Sequence, residues 1–382
     1  MIPSIAIQPS ASNGFVVVGN PGHRRVEMFQ AALAAQGMPK ARVVAWRELA
    51  EPGAPARIFD GARGILRIDS PGEDAEVERA LIRRGEAAAR ESGAPAIDAN
   101  ALADIPHAVG LILYPRQHYL GLCAVLAELA AAIPPELRVL QPPSAIAELF
   151  DKSACSAKWR ALGIPVPETL TSVRDPDELR ERMIAANWAS VFVKLTAGSS
   201  ASGLAVFVHH PHREHVMTTV EDCGDARYNT RNIQRIVDRG KIDRVLGFLL
   251  REGAIVERAV PKAKLAGCYC DVRVLVIDGE PAFVVARTAT HPITNLNLGG
   301  RRGDVAALRA LVSDDAWDHA MTSCTAVQCA SGAFHVGVDL LFTPGLRDHV
   351  VIEGNAFGDL LPNLERDGLD VYGWQIRRAI TG

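Results

Sequence analysis

Short apolar runs and helix-spaced apolar positions follow one another along the first part of the chain. Residues 15–19, 42–46 and 64–68 are apolar runs of strand length, and residues 24–36 place apolar side chains at helical spacing. Strand, helix and strand in this order predict a parallel sheet with crossover helices. Proline pairs surround a further short strand, so we expect the first lobe to end near residue 147.

Two apolar runs near the C-terminus carry three oxygen-bearing side chains. Residues 335–342 include Asp339, and residues 350–355 end in Glu353-Gly-Asn355. Because successive side chains of a strand point to opposite faces, Glu353 and Asn355 share a face, and an antiparallel hairpin would gather all three in one cleft. Two carboxylates and a carboxamide suit a hard cation such as Mg²⁺. Taken alone, these residues are interpreted equally well as polar side chains at strand ends.

Two lysines stand where an anion is expected. Lys152 opens a predicted helix over 151–163, where a positive charge opposes the helix dipole unless an anion lies nearby. Lys194 lies near the end of the strand 190–195, and a glycine- and serine-rich segment, 197–203, follows it. Small residues let backbone N–H groups close over a phosphate, although no P-loop signature is present. The alternative for Lys194 is a lysine that reaches solvent at a sheet edge.

A predicted hairpin over 271–287 carries two arginines whose relative positions depend on the turn. A two-residue turn would place Arg273 and Arg287 on opposite faces, whereas a three-residue turn would place them on the same face. Pro281 cannot donate to the ladder, so we expect the longer turn and a shared face. Two arginines on one cleft wall suit a phosphate or carboxylate group. Surface arginines on an edge hairpin are the alternative.

Two polar segments are interpreted as surface structure. The histidine-rich corner at 209–215 lacks the spacing to a carboxylate that a metal site would favour, so a solvated turn is expected there. Residues 222–243 are polar and charged, which predicts a surface segment or flap.

Length, charge and cysteine usage narrow the possibilities further. A chain of 382 residues is longer than one hydrophobic core usually organises, which predicts two or three lobes. The net charge of −3 implies no general attraction to nucleic acid or to an anionic membrane. We expect no membrane span and no signal peptide. Seven cysteines without a CxxC pair favour reduced thiols in the cytoplasm. The oligomeric state is open, a homodimer included.

The order of these features resembles the ATP-grasp superfamily, and within it the RimK-like and glutathione-synthetase-like carboxylate–amine ligases. The resemblance covers about residues 148–365. It rests on a lysine at a helix start, a strand lysine with a glycine- and serine-rich lid, a strand that ends at Glu257, Asp271-x-Arg273, Arg287, Asn295-x-x-x-Gly299-Gly300, and Asp339 with Glu353-x-Asn355.

The resemblance implies an α/β (α+β) fold of three parts. A small, Rossmann-like pre-ATP-grasp domain with a parallel sheet, at 1–147, would precede a two-lobed ATP-grasp fold. The small lobe with its lid would span 148–256. The C-terminal lobe with the Mg²⁺ and phosphate site would span 257–382.

The resemblance also implies roles for individual residues. ATP would be held by two phosphate-binding lysines, the lid, the adenine hinge and positions near the ribose and phosphates: Lys152, Lys194, Gly198, Ser199, Ser200, Gly203, Glu257, Arg258, Asp271 and Thr294. Lys264 competes with Asp271 for the position near the ribose. The transferring γ-phosphate and the acyl phosphate would be stabilised by Arg273, Arg287 and Asn295. Two Mg²⁺ ions, with Mn²⁺ also compatible, would be bound by Asp339, Glu353 and Asn355.

The activity implied by the resemblance is the ATP-dependent joining of a carboxylate to an amine through an acyl phosphate, with release of ADP and phosphate. The substrates would be small molecules or peptides. Candidates for the substrate pocket are Arg67, Tyr114, Arg116 and Asp359. A small-molecule kinase on the same scaffold and a non-catalytic ATP-binding regulatory protein are the alternatives.

The chain departs from the family pattern in three places, and these leave the substrates open. They are the residues between Glu257 and Asp271, the short link between Arg287 and Asn295, and the long insert around 209–250.

Overall fold

The computed structural model describes residues 14–198, 202–210, 213–358 and 361–381. These residues form one parallel sheet, two larger antiparallel sheets and a short two-stranded ribbon, with helices packed on the sheets. The mixed α/β architecture, with a small parallel sheet first, confirms the fold class expected from the sequence.

The first part of the chain is a small α/β lobe. Its elements in chain order are β1 Phe15–Gly19, α1 Arg24–Ala35, β2 Arg42–Ala45, α2 Trp46–Leu49, α3 Ala54–Ile58, β3 Gly64–Ile68, α4 Ala75–Arg84, α5 Glu86–Glu91, α6 Ala99–Asp104, α7 Pro115–Ala132, β4 Leu137–Val139 and α8 Pro143–Phe150. The parallel sheet has the strand order β2-β1-β3-β4. Val16 and Val18 of β1 belong to the core formed with α4 and α7, whereas Phe15 and Val17 belong to the core formed with α1. Both faces of β1 are therefore buried, which explains its continuous apolar run.

The second part of the chain is built on an antiparallel sheet. Its elements are α9 Lys152–Ala161, β5 Thr169–Leu170, α10 Pro176–Ala185, β6 Ser190–Leu195, β7 Leu204–His210, β8 Arg213–Asp222, β9 Arg227–Ile236, α11 Arg239–Arg251 and β10 Ala254–Arg258. The strand order is β5-β10-β6-β7-β8-β9. Val191 and Val193 of β6 face α10 and α11 and are fully buried. Phe192 and Lys194 alternate with them and so point to the other face of the sheet.

The polar segment 222–243 is exposed as expected, but it is regular structure rather than a separate flap. It contains the end of β8, all of β9 and the start of α11. No residue of the edge strand β9 is buried, so polar side chains occupy both of its faces. In the histidine-rich corner, β7 ends at His210 and His209 Nδ1 lies 3.2 Å from Glu214 Oε2, while residues 211 and 212 lie outside the described residues.

The third part of the chain is built on a second antiparallel sheet. Its elements are β11 Lys264–Leu265, β12 Cys268–Ile277, β13 Glu280–Ala289, a 3-10 turn at Leu296–Leu298, β14 Arg301–Gly303, α12 Val305–Leu311, α13 Asp314–Ser331, β15 His335–Phe342, β16 His349–Asn355, β17 Glu365–Arg366, β18 Leu369–Asp370 and α14 Val371–Thr381. The sheet order is β14-β13-β12-β15-β16, and β11 pairs with β12. Val274 and Val338 share a core with Val327 of α13 on one face, which leaves Asp271, Arg273 and Asp339 on the other.

The β12–β13 hairpin corrects the expected turn length but keeps its expected consequence. The turn has two residues, Asp278 and Gly279, because Ile277 pairs with Glu280. Both turn residues have positive φ, 50° and 79°, as tight hairpin turns require. A bulge after Leu275 then shifts the register, so that Asp271 pairs with Arg287. The bulge, rather than a longer turn, brings Arg273 and Arg287 to one face, because an extra residue on one strand reverses its alternation.

Two of the contacts between the three parts involve the first lobe. Helix α14, at the end of the chain, packs on α1 of the first lobe, where Phe29 and Tyr372 make an edge-to-face contact at 6.0 Å. A loop before α7 pairs with the edge strand β9, since Leu111 forms a bridge with Tyr228. The domain boundaries at 147 and 256 stay predictions.

The structure bears on two expectations from composition, those for the cysteines and for membrane-spanning segments. All seven cysteines are free thiols. Of the helices in the described ranges, none combines the length and the apolar character needed to cross a membrane.

Candidate functional site

A cavity lies between the two antiparallel sheets, and its empty volume, which includes space open to solvent, is about 820 Å³. One wall is the face of β6, β7 and β10 that α10 and α11 leave uncovered, and the other is formed by β12, β13, β15 and β16. Apolar side chains line part of it, namely Phe192, Leu195, Leu204, Val260, Ile293, Leu341 and Ile352. Charged side chains line the rest, namely Lys152, Lys194, Glu257, Arg258, Lys262, Asp271, Arg287, Asp339 and Glu353. The cavity therefore offers a surface for a flat apolar group and a surface for a highly charged one.

Lys194 is held inside the cavity by a carboxylate from the neighbouring strand. Its Nζ donates to Glu257 Oε2 at 2.5 Å, across the β6–β10 pair. Burial lowers the pKa of Lys194, but the carboxylates of Glu257, Glu353 and Asp339 outweigh it and raise the pKa above its usual value. The ammonium also lies 5.5 Å from the centre of the Phe192 ring. Lys194 is thus a fixed positive charge rather than a lysine that reaches solvent.

Lys152 joins the start of the glycine- and serine-rich segment to the acidic hairpin β15–β16. Asp151 caps α9 by accepting from the backbone N–H of Ala154 at 2.9 Å, which fixes the first turn. Lys152 Nζ donates to the carbonyl of Gly198 at 2.5 Å and lies 3.3 Å from Glu353 Oε1. Its positive charge stands at the helix N-terminus, where it is unfavourable without such acceptors.

The acidic hairpin gathers its three oxygen-bearing residues as the alternation of side chains suggests. Asp339 pairs directly with Glu353, and Gly337 pairs with Asn355. A bulge after Asp339 places Ile352 in the apolar lining of the cavity. Asn355 Nδ2 donates to the Gly337 carbonyl at 3.0 Å, which orients its carboxamide. The two carboxylates and the carboxamide therefore come from neighbouring positions on paired strands.

A buried charge network connects this hairpin with the arginine hairpin. Asp339 accepts from Arg273, with Nη2 to Oδ2 at 2.9 Å, and from Arg287, with Nη2 to Oδ1 at 3.0 Å. Arg287 Nε also donates to Asp271 Oδ1 at 2.7 Å. Burial raises the pKa of Asp339, but the two guanidinium groups outweigh it and lower the pKa to about 2. Burial likewise lowers the pKa of Arg287, yet Asp339 and Asp271 raise it above the usual value, so every member of the network stays charged.

No protein-family model matches this chain, and no curated protein does either. Solved structures of ATP-grasp ligases match it along almost its whole length. The ATP-grasp ligase PsnB complexed with a minimal precursor aligns with a TM-score of 0.55 and 18% identity, over 97% of this chain and 99% of that chain. D-cycloserine synthetase DcsG aligns with a TM-score of 0.54 and 14% identity, over 96% and 99%. D-alanine–D-alanine ligase from Bacillus anthracis complexed with ATP aligns with a TM-score of 0.50 and 11% identity, over 97% and 96%.

The chain has the ATP-grasp fold. In ATP-grasp terms, its second and third parts are the two lobes, and the cavity lies between them. Most residues singled out from the sequence line that cavity, namely Lys152, Lys194, Gly198, Glu257, Arg258, Asp271, Arg287, Thr294, Asn295, Asp339 and Glu353. Their assigned roles stay predictions.

Other predicted residues lie around this ATP-grasp cavity or outside the described ranges. Arg273 and Asn355 reach it through Asp339 and Gly337 rather than by lining it. Gly203 lies at the far end of the glycine- and serine-rich segment, whereas Ser199 and Ser200 lie outside the described residues. Arg258 lines the cavity, but its side chain is 53% exposed and donates to Glu168 Oε2 at 2.6 Å.

Lys264 is not part of the cavity, and the expectation that it competes with Asp271 is wrong. Its side chain is exposed on β11, with Nζ 4.9 Å from the centre of the Tyr269 ring. Lys262, two residues earlier, enters the cavity instead and lies 3.2 Å from Asp271 Oδ2. Sequence reasoning missed Lys262 because it stands in an irregular segment without hydrophobic periodicity. The lysine content of this segment was its one visible signal.

Candidates from the first lobe do not line this cavity. Arg67 is 1% exposed and donates to Gln375 Oε1 at 2.5 Å, so it is a structural residue between β3 and α14. Tyr114 and Arg116 stand at the start of α7. The fourth candidate for the substrate pocket, Asp359, is not part of the first lobe and lies outside the described residues.

The donor set of the acidic hairpin fits a hard divalent cation. Within the described ranges, no group of three or more histidine, cysteine, aspartate or glutamate side chains is arranged to hold a metal ion. Asp339, Glu353 and the carboxamide of Asn355 supply oxygen donors only, and paired strands hold them together. Such a set suits Mg²⁺, which takes few protein ligands and completes its shell with water and phosphate oxygens.

Proposed function

We propose that this protein is an ATP-dependent ligase that joins a carboxylate to an amine through an acyl phosphate and releases ADP and phosphate. The observation that carries the proposal is the single cavity in which apolar walls, buried cations and ionised carboxylates meet. Apolar walls suit an adenine ring, cations suit a triphosphate, and carboxylates suit the divalent cations that accompany it.

The nucleotide would lie along the gradient from apolar to charged lining. Phe192, Leu204 and Ile293 belong to one apolar cluster that joins the two lobes, and they would flank the base. Lys152 and Lys194 would bind phosphate oxygens as point charges, because each is held within the cavity by a carboxylate or carbonyl. Gly198, in the cavity lining, would let the backbone approach the phosphates closely, because it has no side chain.

Arg273 and Arg287 would stabilise the charge that develops on the transferring phosphoryl group. Both are fixed before any substrate binds, since Asp339 and Asp271 hold their guanidinium groups. Preorganised positive charge in a partly enclosed site is worth more than in water and needs no rearrangement during the reaction. Asn295, beside Thr294 in the cavity lining, would assist at the phosphates.

Asp339, Glu353 and Asn355 would hold Mg²⁺, two ions in our proposal, with Mn²⁺ as a substitute. Bound there, Mg²⁺ would neutralise phosphate charge and act as a Lewis acid. The residues themselves are suited to it because Asp339 stays ionised at any ordinary pH.

The substrates are proposed to be a carboxylate and an amine, each from a small molecule or a peptide. The structural neighbours include ligases complexed with a precursor peptide, such as the macrocyclase MdnC from Microcystis aeruginosa with its precursor MdnA, and a synthetase of a small molecule, D-cycloserine. Both classes belong in a substrate screen.

The test is a screen of carboxylate and amine mixtures with ATP and Mg²⁺, read as ADP release and as the mass of a joined product. A ligase releases ADP only when both substrates are present, and the product mass equals their sum less water. A phosphorylated product that forms without an amine would establish a kinase. Nucleotide binding without turnover in every mixture would favour the regulatory alternative. The Glu353→Gln variant, purified in parallel, controls for a contaminating ATPase.

A further inference from the structure

Lys262 is a buried cation of the cavity that the features above leave without a role. It lies between β10 and β11, in the segment where the chain departs from the family pattern. Its side chain is 7% exposed, with Nζ 3.2 Å from Asp271 Oδ2 and 2.9 Å from Thr294 Oγ1. The next residue, Ala263, is tied to two strands, since its N–H donates to Phe342 and its carbonyl accepts from Cys270. The backbone therefore fixes where this ammonium points.

The surroundings of Lys262 carry more positive than negative charge. The pKa of Lys262 lies below its usual value, because burial, Arg287 and Lys194 lower it by more than Asp271 raises it. Its carboxylate partner is shared, because Asp271 also accepts from Arg287 and from the hydroxyl of Thr294. Apart from Arg258, which pairs with Glu168 outside the cavity lining, the described site has five cations, Lys152, Lys194, Lys262, Arg273 and Arg287, and four carboxylates, Glu257, Asp271, Asp339 and Glu353. Such an excess, in a partly enclosed cavity, favours a bound anion.

The hydrogen bonds of Lys262 leave capacity for that anion. An ammonium group has three N–H donors. Asp271 and Thr294 accept from two of them, and both acceptors belong to the third part of the chain. The remaining donor is available to a ligand oxygen, with Lys194 and Arg287 as its charged neighbours.

We propose that Lys262 binds the terminal phosphate of the nucleotide, so that the site distinguishes ATP from ADP. The inference deepens the proposed function and depends on it. Lys194, a candidate for the phosphate chain, and Arg287, a candidate for the transferring phosphoryl group, are both close enough for their charges to act on Lys262, and Arg287 shares Asp271 with it. A cation at this place contacts the phosphate that ATP has and ADP lacks.

Thr294 is a positioning residue in this arrangement. Its hydroxyl donates to Asp271 and accepts from Lys262 at 2.9 Å, so it sets the spacing between the carboxylate and the ammonium. Thr294→Val keeps the shape but removes both hydrogen bonds. It should weaken ATP binding in the same sense as loss of Lys262, by a smaller factor.

The experiment compares the affinities of ATP and ADP, each with Mg²⁺, in Lys262→Met, Lys262→Arg and Lys264→Met by calorimetric titration. Lys264→Met is the matched control, since it removes a lysine two residues away that lies outside the cavity. In Lys262→Met, ATP affinity should fall by about tenfold or more, the range for a hydrogen bond between charged groups, while ADP affinity changes by less than about threefold. Lys262→Arg should recover part of the ATP affinity, and Lys264→Met should match the wild type.

The ADP titration is an internal reference for folding, because partly unfolded protein would lower both affinities by the same factor. Asp271 keeps Arg287 and Thr294 as partners in the variant, so loss of Lys262 leaves no isolated buried charge. Equal losses of ATP and ADP affinity, or no loss of either, would overturn the role of Lys262 while leaving the proposed function intact. A wild-type protein that binds neither nucleotide would overturn the proposed function and this inference together.

Discussion

Asp339 organises the candidate site at the scale of single residues. Its carboxylate meets two guanidinium groups, one from each strand of the arginine hairpin, and pairs across the sheet with Glu353. The resulting pKa of about 2 keeps it ionised under any working condition. Removing it would leave Arg273 and Arg287 buried with fewer partners, a change that destabilises by several kcal/mol in comparable cases. A variant that removes Asp339 would therefore not distinguish a catalytic role of this residue from a structural one.

Glu353 is the better probe of the acidic hairpin. Its side chain is 28% exposed and its ion pair is with Lys152, so Glu353→Gln should change the free energy of unfolding by less than about 1 kcal/mol. Turnover of ATP should fall by about a hundredfold or more, since the carboxylate that we propose as a ligand of the cation becomes neutral. The rate of ADP release and a urea unfolding curve measure the two effects. Glu365→Gln, on the exposed ribbon strand β17, is the control. Turnover within a few-fold of wild type would remove Glu353 from the metal site.

At the scale of elements, two bulges decide which side chains reach the cavity. The bulge in β12–β13 brings Arg287 to the face of Arg273, and the bulge in β15–β16 turns Ile352 inward beside Glu353. Each inserts one residue and so reverses the alternation of the strand beyond it. The position of Arg287 thus depends on an irregularity several residues away from it, whereas Ile352 lies at the bulge itself.

This dependence explains how much the sequence alone could predict. Lys152, Lys194, Asp339 and Glu353 follow from local signals, a helix start or an apolar alternation, and from the order of the motifs. The turn length of the arginine hairpin was predicted wrongly because the sequence shows Pro281 but not the bulge that accommodates it. Lys262 was missed because its position is set by main-chain bonds of its neighbour Ala263 to Phe342 and Cys270, which no local pattern in the sequence shows.

The segment from Gly198 to Gly203 offers a test at this scale. Gly203 has a φ of +62°, and a Cβ placed there would lie 2.2 Å from Leu195 Cδ1, at the end of the strand that carries Lys194. Gly163 has a φ of +76° but open space around it. Ala at either position should cost about 1–2 kcal/mol for the left-handed backbone. Gly203→Ala should lower the free energy of unfolding by more than this, because Leu195 must move, and it should also weaken ATP binding. Gly163→Ala should leave ATP binding unchanged. Calorimetric titration and thermal unfolding of both variants give the comparison, and equal ATP affinities would show that the two glycines are equivalent for the lid.

At the scale of the whole molecule, the loop before α7 of the first lobe packs on the edge strand β9 of the second part. Gly110, with a φ of +82°, approaches Asn229 of β9 so closely that a Cβ would lie 2.8 Å from its carbonyl oxygen. The backbone of Ile112 donates to Arg227 at 2.8 Å on the same strand. These bonds cover part of the β9 edge, and an edge strand that is paired in this way is protected from pairing with other chains.

A second contact between these lobes places a buried carboxyl at the start of α7. Glu252 follows α11 and is 6% exposed, and its Oε2 accepts from the backbone N–H of Arg116 at 3.3 Å. Burial raises the pKa of Glu252 from its ordinary 4.5 to about 7, although the Arg116 N–H and the charge of Arg251 oppose the shift. The folded protein therefore binds a proton at Glu252 in the range where the unfolded chain has already released it.

Because the folded protein holds this proton more tightly, the free energy of unfolding should decrease as the pH rises. Stability conferred by the protonated carboxyl is fully present below about pH 4.5 and is lost as the pH rises through about 7. Glu252→Gln keeps an acceptor for Arg116 but cannot ionise. We expect the variant to match the wild type near pH 4.5 and to exceed it at pH 8 by about 2–3 kcal/mol in the free energy of unfolding. The measurement is the midpoint of urea unfolding at several pH values, with Glu91→Gln, on the exposed end of α5, as the control. If the free energies of unfolding of Glu252→Gln and wild type differ by the same amount at every pH, Glu252 does not titrate in this range. If the difference grows with pH, the stability of the contact between the lobes depends on this single carboxyl.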